Sequence, residues 1–240
     1  MNISATLDRF HLEAKQNKWL QYFAVFNRIA LAVGFIAGGM VKIVGERFAS
    51  GLSVNHPMGH YLEALHKTGY YYTFIGVLQL VAAVLLLIPR TVLLGALIYF
   101  PIILNICILS YAVRFEGSLL TSPLMVISNL FLLCWYYDRL KFILPFKHPA
   151  VEAAIAKIPV TNNKFPKRFF AGVVATIIFF MFIAANLWDI KPRNSLKDCQ
   201  NQFKGTKRTT AGNTFCDCIH NSGQPLDSCL DKYNKAPDDN

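Results

Sequence analysis

Four of the chain's six cysteines fall after residue 190: Cys199, Cys216, Cys218 and Cys229, with His220 two residues past Cys218. Sulfur at this density staples a small domain in an oxidising space, exchanges with partner thiols, or binds a soft metal such as Cu(I) or Zn(II). The run CDCIH is not the C-x-x-C-H of haem attachment, and a thioredoxin-like C-x-x-C is absent. A ring closed between Cys216 and Cys218 is very small and strained. Cys199 is therefore expected to bond one of them and Cys229 the other, with the choice left open. Two structural disulfides are the preferred reading. Cys216 and Cys218 are the redox candidates, and with His220 they form a weak metal set; no metal is expected.

A second group is polar inside apolar surroundings. Gln79, Asn105 and Asn129 fall on three different hydrophobic segments, each at roughly 12–15 Å of helical depth from one end. Three amides at one level can meet in a bundle, as interhelical glue or as a ligand pocket. Pro101 frees a backbone carbonyl nearby. Arg28 and Lys42, near the two ends of the first segment, either snorkel to headgroups or join the pocket. Cys107 and Cys134 lie at depths too different for a disulfide, and are expected to pack as small apolar groups. His56, His60 and His66 are expected to be surface polar residues, because Pro57 and Gly59 argue against a regular helix joining the first two.

The elements that position these residues follow from composition. The 240 residues are 54% hydrophobic and 16% charged, against about 25% charged in a typical soluble domain. The net charge of +10 is spread between apolar runs rather than gathered on one face, which argues against nucleic acid and for a bilayer. Five segments are long enough to cross: 23–44, 71–88, 92–113, 119–137 and 169–188. No cleavable signal peptide is evident, so the first span is expected to remain. In the first segment, Ala30, Gly34 and Gly38 offer a small-residue face for a neighbouring helix.

Arg9, Lys15 and Lys18 before the first span, and Arg139 to Arg168 between the fourth and fifth, place both segments in the cytoplasm. The C-terminal segment is then outside, where disulfides persist. Val151, Ala154, Ile155 and Ile158 suggest a short amphipathic helix in the basic loop. The expected organisation is a cytoplasmic segment 1–22, a four-span bundle 23–137, a basic cytoplasmic loop 138–168, a fifth transmembrane helix 169–190 and an extracytoplasmic cysteine-containing tail 191–240. The fold class is all-α integral membrane.

The first span, FNRIALAVGFIAGGMVKIV, carries Arg28, Phe35, Gly39 and Lys42 in the order of the opening signature of the DoxX-like membrane proteins, which it resembles. The segment FIGVLQLVAAVLLLIPRTVLLGALIYFPIILNI is similar to that family's central hairpin. The resemblance covers about residues 20–137 and implies a four-span core in a bacterial cytoplasmic membrane. It also implies a link to quinone and sulfur-compound redox chemistry, with a quinone as the cofactor and a pocket near Gln79 and Asn105. Many members carry Glu where this chain has Gln79, so a proton-active carboxylate is missing. No hydrolase triad, P-loop, dinucleotide fingerprint or repeated half is present. The favoured function is a scaffold or accessory subunit whose partners are the bilayer and an extracytoplasmic or membrane protein. The alternative is a quinone-linked thiol or sulfur-compound oxidoreductase.

Overall fold

The computed structural model describes residues 11–140 and 163–239. Every regular element among them is a helix. After helical residues 11–15, these are in chain order α1 (Lys18–Val44), α2 (Pro57–His66), α3 (Tyr70–Leu87), α4 (Val92–Ala112), α5 (Thr121–Trp135), α6 (Tyr137–Leu140), α7 (Lys167–Asn186), α8 (Leu196–Asn201), α9 (Thr209–His220) and α10 (Leu226–Lys235). The amphipathic segment expected around Val151 to Ile158 lies outside the described residues.

Among the described residues, four helices are long and apolar enough to cross a bilayer: α1, α3, α4 and α7. Their apolar residues run all round the axis, which suits lipid rather than a half-wet surface. The fourth expected span differs. Its helix, α5, has 15 residues and is about 22 Å long at 1.5 Å per residue, short of a hydrocarbon core of about 30 Å. The chain turns at Tyr136 before the single turn of α6.

The chain divides into two compact units, and the long helices contribute residues to both. One comprises Met1–Ala37, Leu78–Ile103 and Leu124–Phe179. Here α1 starts on Asn17, whose Oδ1 accepts the amides of Trp19 and Leu20 and satisfies two donors of the first turn. That cap explains why the helix begins before the apolar run. Phe23 packs against Phe131, Phe169 and Phe170 at centroid distances of 5.0, 5.3 and 5.6 Å, tying α1, α5 and α7 together. The tight α3–α4 turn needs Gly95, because a Cβ there would lie 2.7 Å from the Leu86 nitrogen. Gly34 is filled not by a neighbouring backbone but by the Met125 side chain, 2.8 Å from where its Cβ would stand, and Ala30 is exposed.

The other unit comprises Gly38–Val77, Leu104–Pro123 and Phe180–Asn240. Helices α1 and α3 approach through Gly76, where a Cβ would meet the Gly39 carbonyl and the Lys42 Cβ at 2.8 Å. The small-residue contact on α1 is thus at Gly39, one position past the expected stripe. Helices α8, α9 and α10 enclose a small core of Phe203, Phe215, Ile219, Leu226 and Tyr233 around four half-cystines. Gly212 is required there, since a Cβ would fall 2.1 Å from the Phe203 ring. Leu52, Met58 and Leu62 form a second small core against Leu109, Val113 and Phe115.

Candidate functional site

The two disulfides are Cys199–Cys216 and Cys218–Cys229. The neighbours Cys216 and Cys218 bond different partners, which avoids the strained ring. Cys199, Cys216 and Cys229 are fully buried, and Cys218 is 7% exposed. A sulfur in this setting meets no thiolate from outside without local opening. No group of three or more metal-ligating side chains occurs among the described residues. His220 bonds backbone instead: its Nε2 donates to the Pro192 carbonyl at 2.7 Å.

Around His220 the loop before α2, the α4–α5 link and the α7–α8 link come together. Asn55 donates from Nδ2 to the carbonyls of His220 at 2.6 Å and Asn221 at 3.3 Å, capping the end of α9. Its neighbour His56 is 1% exposed, its ring 5.9 Å from that of His220 and 6.0 Å from that of Phe115. His56 is therefore not a surface residue. It is the N-cap of α2, with Nδ1 accepting the Met58 amide at 3.1 Å, and Pro57 takes the first helical position, where its missing N–H costs nothing. Pro57 starts the helix that it was expected to prevent. Gly59 permits it, because a Cβ there would collide with the Ser53 carbonyl at 1.9 Å. His60 is exposed, and the His66 ring lies 2.9 Å from the Gly45 carbonyl.

Charge gathers beside the imidazoles. Glu116 pairs with Arg193, and Lys191 stands 3.9 Å from the same oxygen. Lys191 also donates to the Ala184 and Ala185 carbonyls at the end of α7. Arg114 donates to the Ile190 carbonyl at 2.7 Å and lies over the Trp188 ring. Arg114 and Arg193 both adopt positive φ, 53° and 55°, a conformation costing roughly 1–2 kcal/mol for a residue with a Cβ. Arg114 holds the position after α4 that glycine usually takes, with Phe115 N–H donating to the Ser110 carbonyl. Burial holds Lys191 below the usual lysine range, with Glu116 opposing. Burial also pushes the His56 imidazole down to about 4, with His220 adding to the shift; the nearby Arg193 backbone opposes it without a well-formed hydrogen bond to Nε2.

The expected amide trio does not assemble. Gln79 and Asn129 are buried in the first unit, and Asn129 donates to the Ala96 carbonyl at 3.0 Å. Gln79 Oε1 and Asn129 Oδ1 have no donor. Asn105 is exposed, on an outward face of α4, because the helix continues regularly through Pro101 and turns that position away from the packed side. Arg28 donates to the Leu86 and Leu87 carbonyls and so caps the end of α3. Lys42, 7% exposed, donates to the Gly38 carbonyl and lies over the rings of Phe48 and Tyr72. Cys107 and Cys134 are unpaired, and Cys134 is exposed rather than packed.

Sequence reasoning missed His56, Arg114, Glu116, Lys191 and Arg193 as a group. The available signal was Glu116, the one acid beside Arg114 in one short link, and the Lys-Pro-Arg run at 191–193 in another.

No family model and no solved structure matches the chain. It is 36% identical over 131 residues to "Uncharacterized protein YwoB" of Bacillus subtilis (strain 168), across 52% of this chain and 83% of that protein. Similarity at this level, over most of the relative's length, shows common descent: the chain belongs to the same family as YwoB.

Proposed function

We propose that this protein is a DoxX-like, five-crossing membrane scaffold or accessory subunit that holds its disulfide-stapled C-terminal segment rigidly before an extracytoplasmic partner. The N-terminus is inside and the C-terminus outside, in a bacterial cytoplasmic membrane. In this reading α5 crosses with the help of its flanking residues 119–120 and α6, or by local thinning of the bilayer. The observation that carries the reading is the burial of all four paired sulfurs in the segment's own core, which suits staples rather than exchange catalysts. The ties from Asn55, Arg114 and Glu116 support a fixed display rather than a loose tether.

The test is alkylation of native membranes followed by mass spectrometry. Cys199, Cys216, Cys218 and Cys229 should stay unlabelled until reductant and denaturant are added together. Labelling of a Cys216 or Cys218 thiol in untreated membranes would overturn the scaffold in favour of redox exchange. Crosslinking through exposed positions of α10 should then recover a partner that a chain ending at residue 190 does not.

One observation favours the quinone-linked oxidoreductase as a second reading. The donorless oxygens of Gln79 and Asn129 are acceptors of the kind that bind a quinol hydroxyl. Solvent extraction of the purified protein should then release a quinone, and the Gln79→Leu variant should lose it.

A further inference from the structure

His56 and His220 are both buried, at 1% and 6% exposure, and each keeps one ring nitrogen without a partner: Nε2 on His56 and Nδ1 on His220. Their tautomers follow from what they touch. A backbone N–H can only donate, so His56 Nδ1, which takes the Met58 amide, is unprotonated and Nε2 carries the hydrogen. A carbonyl can only accept, so His220 Nε2 carries its hydrogen toward Pro192 and Nδ1 keeps a lone pair. Two neutral imidazoles thus stand 5.9 Å apart, one with a spare donor and one with a spare acceptor.

We infer that His56 and His220 form an acid-sensitive latch that holds the stapled segment against the loop before α2. The latch closes when both rings are neutral. Protonation of His56 at Nδ1 abolishes the acceptor that caps α2. Protonation of His220 at Nδ1 removes the only free acceptor of the pair and leaves two donors. Either event adds a positive charge among three cations and three acids, and each of those acids is already engaged. The α4–α5 link brings Arg114 and Glu116, and the α7–α8 link brings Lys191 and Arg193 on either side of Pro192. Asp217 of α9 is bonded to Asn221, and Asp227 of α10 acts on Arg114. Glu116 is engaged by two cations, so no free carboxylate stands ready to balance an imidazolium.

The sign follows from burial. His56 takes its proton less readily in the latched state than in an opened one, where it titrates near pH 6.5. The latch is therefore intact above pH 6.5 and weakens as pH falls from there toward 4. The inference stands on the two rings and the link charges, and does not need the scaffold reading.

The test is hydrogen–deuterium exchange on the full chain in lipid nanodiscs, corrected for intrinsic exchange rates. Protection of amides in 53–62 and 216–224 should fall at least tenfold between pH 7 and pH 4.5, equivalent to about 1.4 kcal/mol or more. His56→Asn keeps a cap acceptor and His220→Gln keeps a donor for Pro192, and neither titrates. The double variant should change less than about twofold over the same range. Protection independent of pH in the unmodified chain overturns the latch, as does a double variant with the full tenfold fall. If the double variant does not fold, nitrogen NMR of the two imidazoles in the unmodified chain decides: loss of protection must track their protonation, and loss without it overturns the inference.

Discussion

Glu116 is one carboxylate serving two links, accepting from Arg193 and attracting Lys191, which is itself almost fully buried. Glu116→Gln keeps the shape and removes the charge. It should lower the thermal stability of the unit by about 1–3 kcal/mol, because it leaves a buried ammonium without its counter-ion. Part of the effect should persist in high salt, since Lys191 is buried while Glu116 and Arg193 are only partly so. Differential scanning fluorimetry of the detergent-solubilised protein at low and high salt checks both statements. A loss that disappears in salt would mean the pair is solvent-exposed. At the same scale, Cys218→Ser with Cys229→Ser should cost about 2–4 kcal/mol, read as earlier protease cleavage within 191–239.

Among elements, the glycines at helix crossings carry the sharpest expectations. Gly212→Ala sets a Cβ into the Phe203 ring and should destabilise the α8–α9 contact by about 1–3 kcal/mol, more than an alanine at exposed Gly172, where nothing lies nearby. Gly76→Ala meets a backbone carbonyl of α1 and should separate α1 from α3, whereas Gly34→Ala meets only a flexible methionine end and should be tolerated. Stability comparisons of the four variants in one detergent test the ranking. A Gly34 variant worse than Gly76 would contradict the packing. The α2 start is instructive in the same way. Pro57 and Gly59 look like helix breakers in sequence, yet a proline at the first position and a glycine under a crossing carbonyl are what this helix needs.

For the whole molecule, the expectation concerns topology. A periplasm-active reporter fused after residue 239 should be active, and a cytoplasm-active one silent, if the basic segments hold the inner face. The opposite result would remove the oxidising surroundings that the two disulfides need. A reporter fused after residue 140, beyond α5 and α6, tests the five-crossing count separately, since a non-crossing α5 would place it on the outer side.

Much of the architecture was legible in the order of residues alone. Lengths of uninterrupted apolar residues fixed four long helices because a bilayer leaves no other way to satisfy the backbone. The spacing of Cys216 and Cys218 ruled out their pairing because so small a ring is strained. What tertiary structure alone decided was direction and company. The helical register turned Asn105 outward while Gln79 and Asn129 went in. Three links far apart in sequence brought His56, Glu116, Arg193 and His220 into one unit. Periodicity reports which residues avoid water, but in an apolar solvent it does not report which face meets protein. Long-range pairing of loops leaves no local pattern to read.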